Sequence, residues 1–299
     1  MKPLPTISVL TPAYDTTVDL ARRLAGSMLA QRAHWEWVVV DDASTDTSGV
    51  DEIRRQMGDD PRLKLITHDT NHGIVGATAT ALAHASGAFV ALLDHDDELH
   101  PDALAEVTAA IEAVDEVDVI YTDEDKIDQA GRHHELPFFK PDWSPERLRC
   151  QMYLGHLLVI RRTLMEAVGG FRVGYDGSQD YDLALRVTEQ ARRVHHIPKV
   201  LYHCRSAPGS MDDHIDTKPT ADDAARAALA DHAERLGLEA DVVDVRPGVY
   251  RLQRHFRDRP APLVSIVVPT RGTSGIVWGQ RRCFVTALAR SLVDQTTYE

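Results

Sequence analysis

Residues 89–98 read FVALLDHDDE, five apolar positions running without a break into four carboxylates within five residues. An unbroken, β-prone apolar run bounded by polar residues reads as a strand buried on both faces, the kind found in parallel sheets. Like charges crowded at its end repel and raise one another's pKa unless a cation neutralises them. A cap for the helix expected near Pro101 explains Asp97 or Glu98, but not all four acids. Hard divalent ions such as Mg²⁺ and Mn²⁺ take oxygen ligands and hold diphosphates through one or two protein carboxylates, so the pattern favours a metal.

Outward from this stretch, similar runs recur at Ile7 to Leu10, Trp37 to Val40, Leu63 to Ile66 and Val117 to Tyr121. Helical patterning between them predicts helices over Val18 to Ala30, Ile74 to Ala85 and Pro101 to Val114. Strands alternating with helices give an α/β fold, a Rossmann-like, mostly parallel sheet with helices on both faces. Residues 123–145 are polar and contain prolines, and are expected as ligand-facing loops. Order resumes with a strand over Leu157 to Ile160, a helix opening near Ser178 and a short apolar strand that His203 follows. An amphipathic helix follows over Asp222 to Leu236, closed by Gly237, then two strands around Pro247-Gly248. These elements complete a first domain, residues 1–258.

Beyond it the sequence repeats itself. Ser8-Val9-Leu10-Thr11-Pro12 returns as Ser265-Ile266-Val267-Val268-Pro269, and the helix end Ser27 to Gln31 is echoed at Ser291 to Gln295. Residues 259–299 therefore read as a linker and the truncated start of a second similar domain, with a strand over Val264 to Val268 and a loop over Arg271 to Gly279.

The 299 residues are 43% hydrophobic and 26% charged, which excludes a wholly disordered or collagen-like chain. With 33 Lys and Arg against 46 Asp and Glu, the net charge of −13 argues against nucleic acid as the main partner. No apolar run approaches the roughly 18 residues that span a bilayer. No charged segment followed by an apolar one opens the chain, so no secretory signal is expected. Cys150, Cys204 and Cys283 are far apart and form no CxxC, which predicts neither a zinc site nor a disulfide and suits a reducing cytoplasm.

In open parallel sheets, ligands bind outside the carboxyl ends of the strands. The first strand leads into Thr11-Pro12-Ala13-Tyr14-Asp15 with no glycine before Gly26. The GxGxxG dinucleotide turn is therefore missing, and no GxxxxGK[ST] phosphate loop occurs. The second strand ends in DDASTD, residues 41–46. By itself this is a capped turn; alternatively one carboxylate accepts from a nucleobase N–H or a ribose hydroxyl. SQDYD, residues 178–182, opens a helix with Ser178 as cap and Asp180 in the first turn, a common stabilising arrangement that gains a role only beside the acidic cluster. His203 is one of 15 histidines, and His133, His134, His195 and His196 show no ligand spacing.

Taken in order, the strand-Thr-Pro-x-Tyr start, VVVDDAS, LLDHDDEL, GGFRVGYDGSQDYDLALR and LYHCR resemble the family-2 inverting glycosyltransferases of GT-A fold, over about Thr6 to Arg205. YTDEDKID and FFKPDWSP are similar to the subgroup in tandem-domain transferases of bacterial surface-polysaccharide (O-antigen or rhamnan type) biosynthesis. The resemblance implies that Pro12, Tyr14 and Asp41 hold the nucleotide base, with Asp42 as the alternative acid. Asp94 and Asp96 form the DxD element, and at least one of Asp96 and Asp97 binds Mn²⁺ or Mg²⁺. His203 completes the metal site and Asp180 is the catalytic base. Residues 1–122 become the nucleotide-sugar-binding part and 123–258 the acceptor side. The implied partners are a nucleotide-sugar donor and a hydroxyl of a glycan or lipid-linked acceptor, in the cytoplasm or peripherally at the inner face of the cell membrane. Inverting transfer needs a base opposite the leaving diphosphate, and Asp180 suits that role. Two positions depart from the family: Thr78-Ala79 stands where many relatives carry Asn, and Cys204 where the subgroup often has Trp. A non-catalytic nucleotide-sugar-binding relative and a sugar nucleotidyltransferase stay open as alternatives. The latter needs a basic glycine-rich loop after the first strand, where this chain has Asp15.

Overall fold

The computed structural model describes residues 7–206, 219–255 and 263–296, and the chain divides into two compact units between Arg254 and His255. The first unit opens with β1 (Ile7–Ala13), α1 (Val18–Leu29), β2 (Trp35–Asp41), α2 (Ser48–Met57), β3 (Leu63–Thr67), α3 (Gly73–His84) and β4 (Phe89–Leu92). The four strands pair in parallel in the order β3-β2-β1-β4. Alternate residues serve two cores. Ile7, Val9, Trp37, Val39 and Phe89 meet Leu24 and Met28 of α1 and Ile53 of α2; Leu10, Val38, Val40 and Val90 join the core that holds Ala77 and Ala81 of α3. A strand covered on both faces has no polar side, which is why these segments read as continuous apolar runs.

Helix α2 is absent from the expected elements. Its buried apolar residues are only Val50, Ile53 and Met57, and its buried Glu52 is carried by Arg22 at 3.0 Å and Arg55 at 2.7 Å. Hydropathy sees a polar segment; the helix is visible only in the i, i+3, i+7 spacing.

The second half follows as β5 (Glu98–Leu99), α4 (Ala103–Ala113), β6 (Val117–Ile127), β7 (His134–Phe138), α5 (Pro145–Leu148), β8 (Leu158–Arg161), α6 (Arg162–Ala167), α7 (Gln179–Gln190) and β9 (Arg193–Arg205). Here directions mix. β8 inserts antiparallel between β4 and β6, β6 and β9 run parallel, and β5 and β7 add antiparallel edges. The stretch 123–145, expected as loop, contains the last five residues of β6 and all of β7. Three consecutive acids of β6 are sheltered by partners: Asp123 with His196 at 2.9 Å, Glu124 with Lys140 at 2.9 Å, and Asp125 with His203 at 2.6 Å. The helix Pro219–Arg235 adds Ala225, Ala228 and Leu229 to the α7 side of the core, and β10 (Ala240–Arg246) and β11 (Val249–Arg254) form the expected hairpin.

The second unit corrects one expectation. No strand forms over Val264 to Val268; residues 263–273 carry no regular structure, and Leu263 and Val267 are 96% and 87% exposed. A parallel strand exists only by pairing with neighbours, and the described residues of this unit supply none. The expected loop instead supplies the first strand and turn of a hairpin, Ser274–Val277 with Gln280–Cys283, followed by the expected helix, Phe284–Gln295. Residues 259–262 of the expected linker lie outside the described residues.

Candidate active site

β1 lies between β2 and β4, so the loops leaving these three strands share one edge of the sheet. They are tied together. The Asp15 carboxylate accepts the N–H groups of Thr45 at 2.7 Å and Asp46 at 3.1 Å, while its own N–H donates to Ser44 Oγ at 2.9 Å. Between the loops and the start of α3 lies a cavity of about 450 Å³, lined by Pro12, Tyr14, Asp42, Asn71, Ile74, Asp94 and Asp96, among others. Asp42 accepts the His72 N–H at 2.9 Å and contacts His68 Nδ1 at 2.7 Å, which anchors the entry to α3. Asp41 is buried, accepts the Ser44 N–H at 3.2 Å and does not line the cavity; of the two acids, Asp42 does.

The four carboxylates after β4 divide. Glu98 pairs with Arg205, whose Nε also donates to the Asp96 carbonyl at 2.8 Å. Asp97 turns inward, accepting from Tyr202 Oη and from the Arg205 N–H, each at 2.7 Å. Burial, and then the charges of Asp94 and Asp96, push its carboxyl up to about 7. Only Asp94 and Asp96 line the cavity.

A smaller adjoining cavity of about 190 Å³ shares Pro12, Ile74 and Asp94 and extends to Thr78, His156, Gln179 and Asp180. Asp180 therefore does lie beside the acidic cluster. It stands in the first turn of α7 with Oδ1 on the Tyr181 N–H at 2.8 Å; burial pushes its carboxyl up, against the pull of nearby His156. Asp182, two residues on, is fully buried and takes Arg172 Nε at 3.1 Å and Arg186 Nε at 2.8 Å. It holds the helix and faces neither cavity.

His156 was not among the expected site residues. Its Nε2 lies 3.7 Å from Asp94 Oδ2 and its ring stacks on Tyr202 with centroids 4.7 Å apart. Burial alone would lower its pKa, but the charges of Asp94, Glu124, Asp97 and Asp180 raise it. Its backbone is gripped on both sides: Glu124 accepts its N–H at 2.7 Å and Lys140 Nζ donates to its carbonyl at 2.6 Å. Gly155 has φ 45°, and a Cβ there would meet Glu124 Oε2 at 2.5 Å, so this approach requires glycine. A lone histidine beside an apolar run carries no spacing signal. Two buried polar atoms, His156 Nδ1 and Thr78 Oγ1, have no hydrogen-bond partner among the described residues, and both residues line the smaller cavity.

His203 is not brought to Asp96 and Asp97. Side chains alternate along a strand, and on β9 it is Tyr202 whose hydroxyl reaches Asp97. His203 faces the other way, to Asp125 and His134, in a separate cavity. His134 and His196 both have carboxylate partners that spacing could not reveal, because those partners come from other strands and loops.

A crevice of acids and loop residues outside the carboxyl ends of a parallel sheet, at the strand-order reversal, marks the ligand-binding class of α/β protein. The family model for Glycosyl transferase family 2 matches residues 8–169, and the chain belongs to that family. It is 40% identical over 98% of its length to uncharacterized protein y4gI of Sinorhizobium fredii, and 38% identical over 98% to O-antigen biosynthesis protein RfbC of Myxococcus xanthus. The chain spans 32% and 22% of those two relatives' lengths. S. aureus TarS 1-349, solved in complex with UDP-GlcNAc, shares the fold: TM-score 0.61 at 22% identity, over 76% of this chain and 66% of that one. The GT-A fold expectation holds, and no helix among the described residues is long and apolar enough to cross a membrane.

Proposed function

We propose that this chain transfers a sugar, with inversion, from a nucleotide-sugar donor to a hydroxyl of a glycan or lipid-linked acceptor in bacterial surface-polysaccharide biosynthesis. The observation that carries the reading is that two cavities share Pro12, Ile74 and Asp94, with Asp96 lining the larger and Asp180 the smaller. The similarity to an O-antigen biosynthesis protein supports the polysaccharide context, and the cytoplasm or the inner membrane face is the compartment where nucleotide sugars would be met.

Pro12, Tyr14 and Asp42 form the wall for the nucleotide base; Asp41 supports the Asp42 loop from behind. The donor set fits a hard divalent cation, since two cavity-facing carboxylates remain after Glu98 is paired and Asp97 is turned inward. Asp94 and Asp96 would hold Mn²⁺ or Mg²⁺, which would neutralise the charge on the departing diphosphate. Asp180 accepts the proton of the acceptor hydroxyl as the new bond forms. Its raised pKa makes it a stronger base than an ordinary carboxylate. His156 stands near both Asp94 and Asp180, and the charges of Asp94, Glu124, Asp97 and Asp180 draw its pKa up against burial.

A panel of nucleotide sugars, each tested for thermal stabilisation of the chain with Mn²⁺, tests the reading. A donor at 100 times its Kd adds about 2.7 kcal/mol. One donor should stand out and lose its effect in chelator; no stabilisation by any nucleotide sugar or nucleoside diphosphate would remove the proposal.

A further inference from the structure

We propose that Asp125, His134 and His203 form a binding site for a divalent transition-metal ion of the zinc class, separate from the transfer cleft. Three strands supply one ligand each: Asp125 from β6, His134 from β7 and His203 from β9. One ligand atom of each lies within 4.8 Å of those of the other two. Asp125 sits at the centre, with Oδ1 2.6 Å from His203 Nδ1 and Oδ2 2.9 Å from His134 Nδ1. The two imidazoles meet edge to face, their centroids 4.6 Å apart.

Ligand atoms around a tetrahedral ion with bonds of about 2.0–2.1 Å stand about 3.3 Å apart. The two Asp125 contacts are shorter than that and the widest separation in the triad is at most 4.8 Å, so shifts of about 1.5 Å or less bring the three atoms to ligand spacing. Asp125 and His203 are buried, while His134 is 52% exposed and opens onto a cavity of about 550 Å³ that also contains His100 and Glu98. The His100 ring lies 6.0 Å from that of His203, which makes it the candidate for a fourth ligand, with water as the alternative.

Two imidazoles with one carboxylate suit Zn²⁺, Co²⁺ or Ni²⁺, whereas the all-oxygen pair Asp94 and Asp96 suits Mg²⁺ or Mn²⁺. The two faces of β9 therefore serve two chemistries. On one, Tyr202 reaches Asp97; on the other, His203 would tie the β6–β7 hairpin to β9 through the ion.

Cobalt titration of the full chain, free of any histidine tag, tests the site. Co²⁺ should give the visible d–d absorption of a low-coordinate nitrogen-containing site, and Zn²⁺ should abolish it. His134→Ala and His203→Ala should each weaken Co²⁺ binding by about tenfold or more. The double variant Asp94→Asn/Asp96→Asn should leave the absorption unchanged, which separates this site from the donor cleft. Because His134 is half exposed, its variant keeps the test decisive if His203→Ala fails to fold. Absence of the band in the wild-type chain, a smaller loss in His134→Ala, or a band that disappears with Asp94→Asn/Asp96→Asn would overturn the proposal.

Discussion

The aspartates at the mouth of the cleft and those inside the second half of the sheet are the same side chain under opposite conditions. Asp118 is buried between Arg192 and Arg161, and the Arg192 guanidinium foremost holds its carboxyl well below the usual range. Burial would raise Asp182, but the hydrogen bonds from Arg172 and Arg186 reverse it. At the cleft, Asp97 and Asp180 have no guanidinium on their carboxylates among the described residues: burial pushes both up, with Asp94 adding to both and His156 pulling the other way. A carboxylate with its cation beside it holds the chain together, while one left without a cation is poised to take a proton or a metal.

Asp180 and Asp182 sharpen the contrast, being two residues apart in one helical turn. Asp182→Asn should cost about 3 kcal/mol of stability, because it leaves Arg186 buried and unpaired, whereas Asp180→Asn should cost less than about 1 kcal/mol. Urea unfolding of the two variants measures both, and equal losses would erase the distinction. Glu189 offers the same comparison through pH. Burial would raise it, but hydrogen bonds from His232 and Arg235 hold it at about 2. A folded-state pKa below the unfolded one adds stability that is present above about 4.5 and lost as pH falls toward about 2. Glu189→Gln should therefore be about 2 kcal/mol less stable near neutral pH, with the gap closing as the solution is acidified through that window. A gap that stays constant with pH would show that Glu189 acts by packing alone. On the cleft side, Asp96→Asn should weaken Mn²⁺-dependent donor binding by about tenfold, or about 1.4 kcal/mol, without affecting unfolding. Asp97→Asn should weaken it less, because Asp97 reaches the cleft only through Tyr202 and Arg205. Isothermal calorimetry with a nucleoside diphosphate ranks the two.

The same difference in charge pairing decided what could be read from sequence. The parallel half was legible because β1, β2 and β4 bury both faces and so appear as apolar runs, and because Asp94 and Asp96 follow β4 directly in the chain. β6 beyond Tyr121 was not, since Asp123, Glu124 and Asp125 are sheltered by His196, Lys140 and His203, residues 16 to 78 positions away. For the same reason His156 carries no signal in the sequence, and the structure places His203 with Asp125 and His134 rather than beside Asp96 and Asp97, where the resemblance puts it: which residues face it depends on a strand register that the sequence of β9 alone does not fix. The absent strand at Val264 to Val268 teaches the converse, since a good strand sequence without neighbours stays irregular.

The central claim is that Asp180 accepts the acceptor's proton in a cleft whose other end binds the donor. It is tested most directly by measuring turnover and donor affinity together for Asp180→Asn, with the donor selected by thermal stabilisation. A general base contributes about 10²–10⁴-fold to rate and little to ground-state binding, so turnover should fall by that factor while the donor Kd stays within about twofold. Wild-type turnover in the variant would contradict the claim and reduce Asp180 to a residue that merely starts a helix.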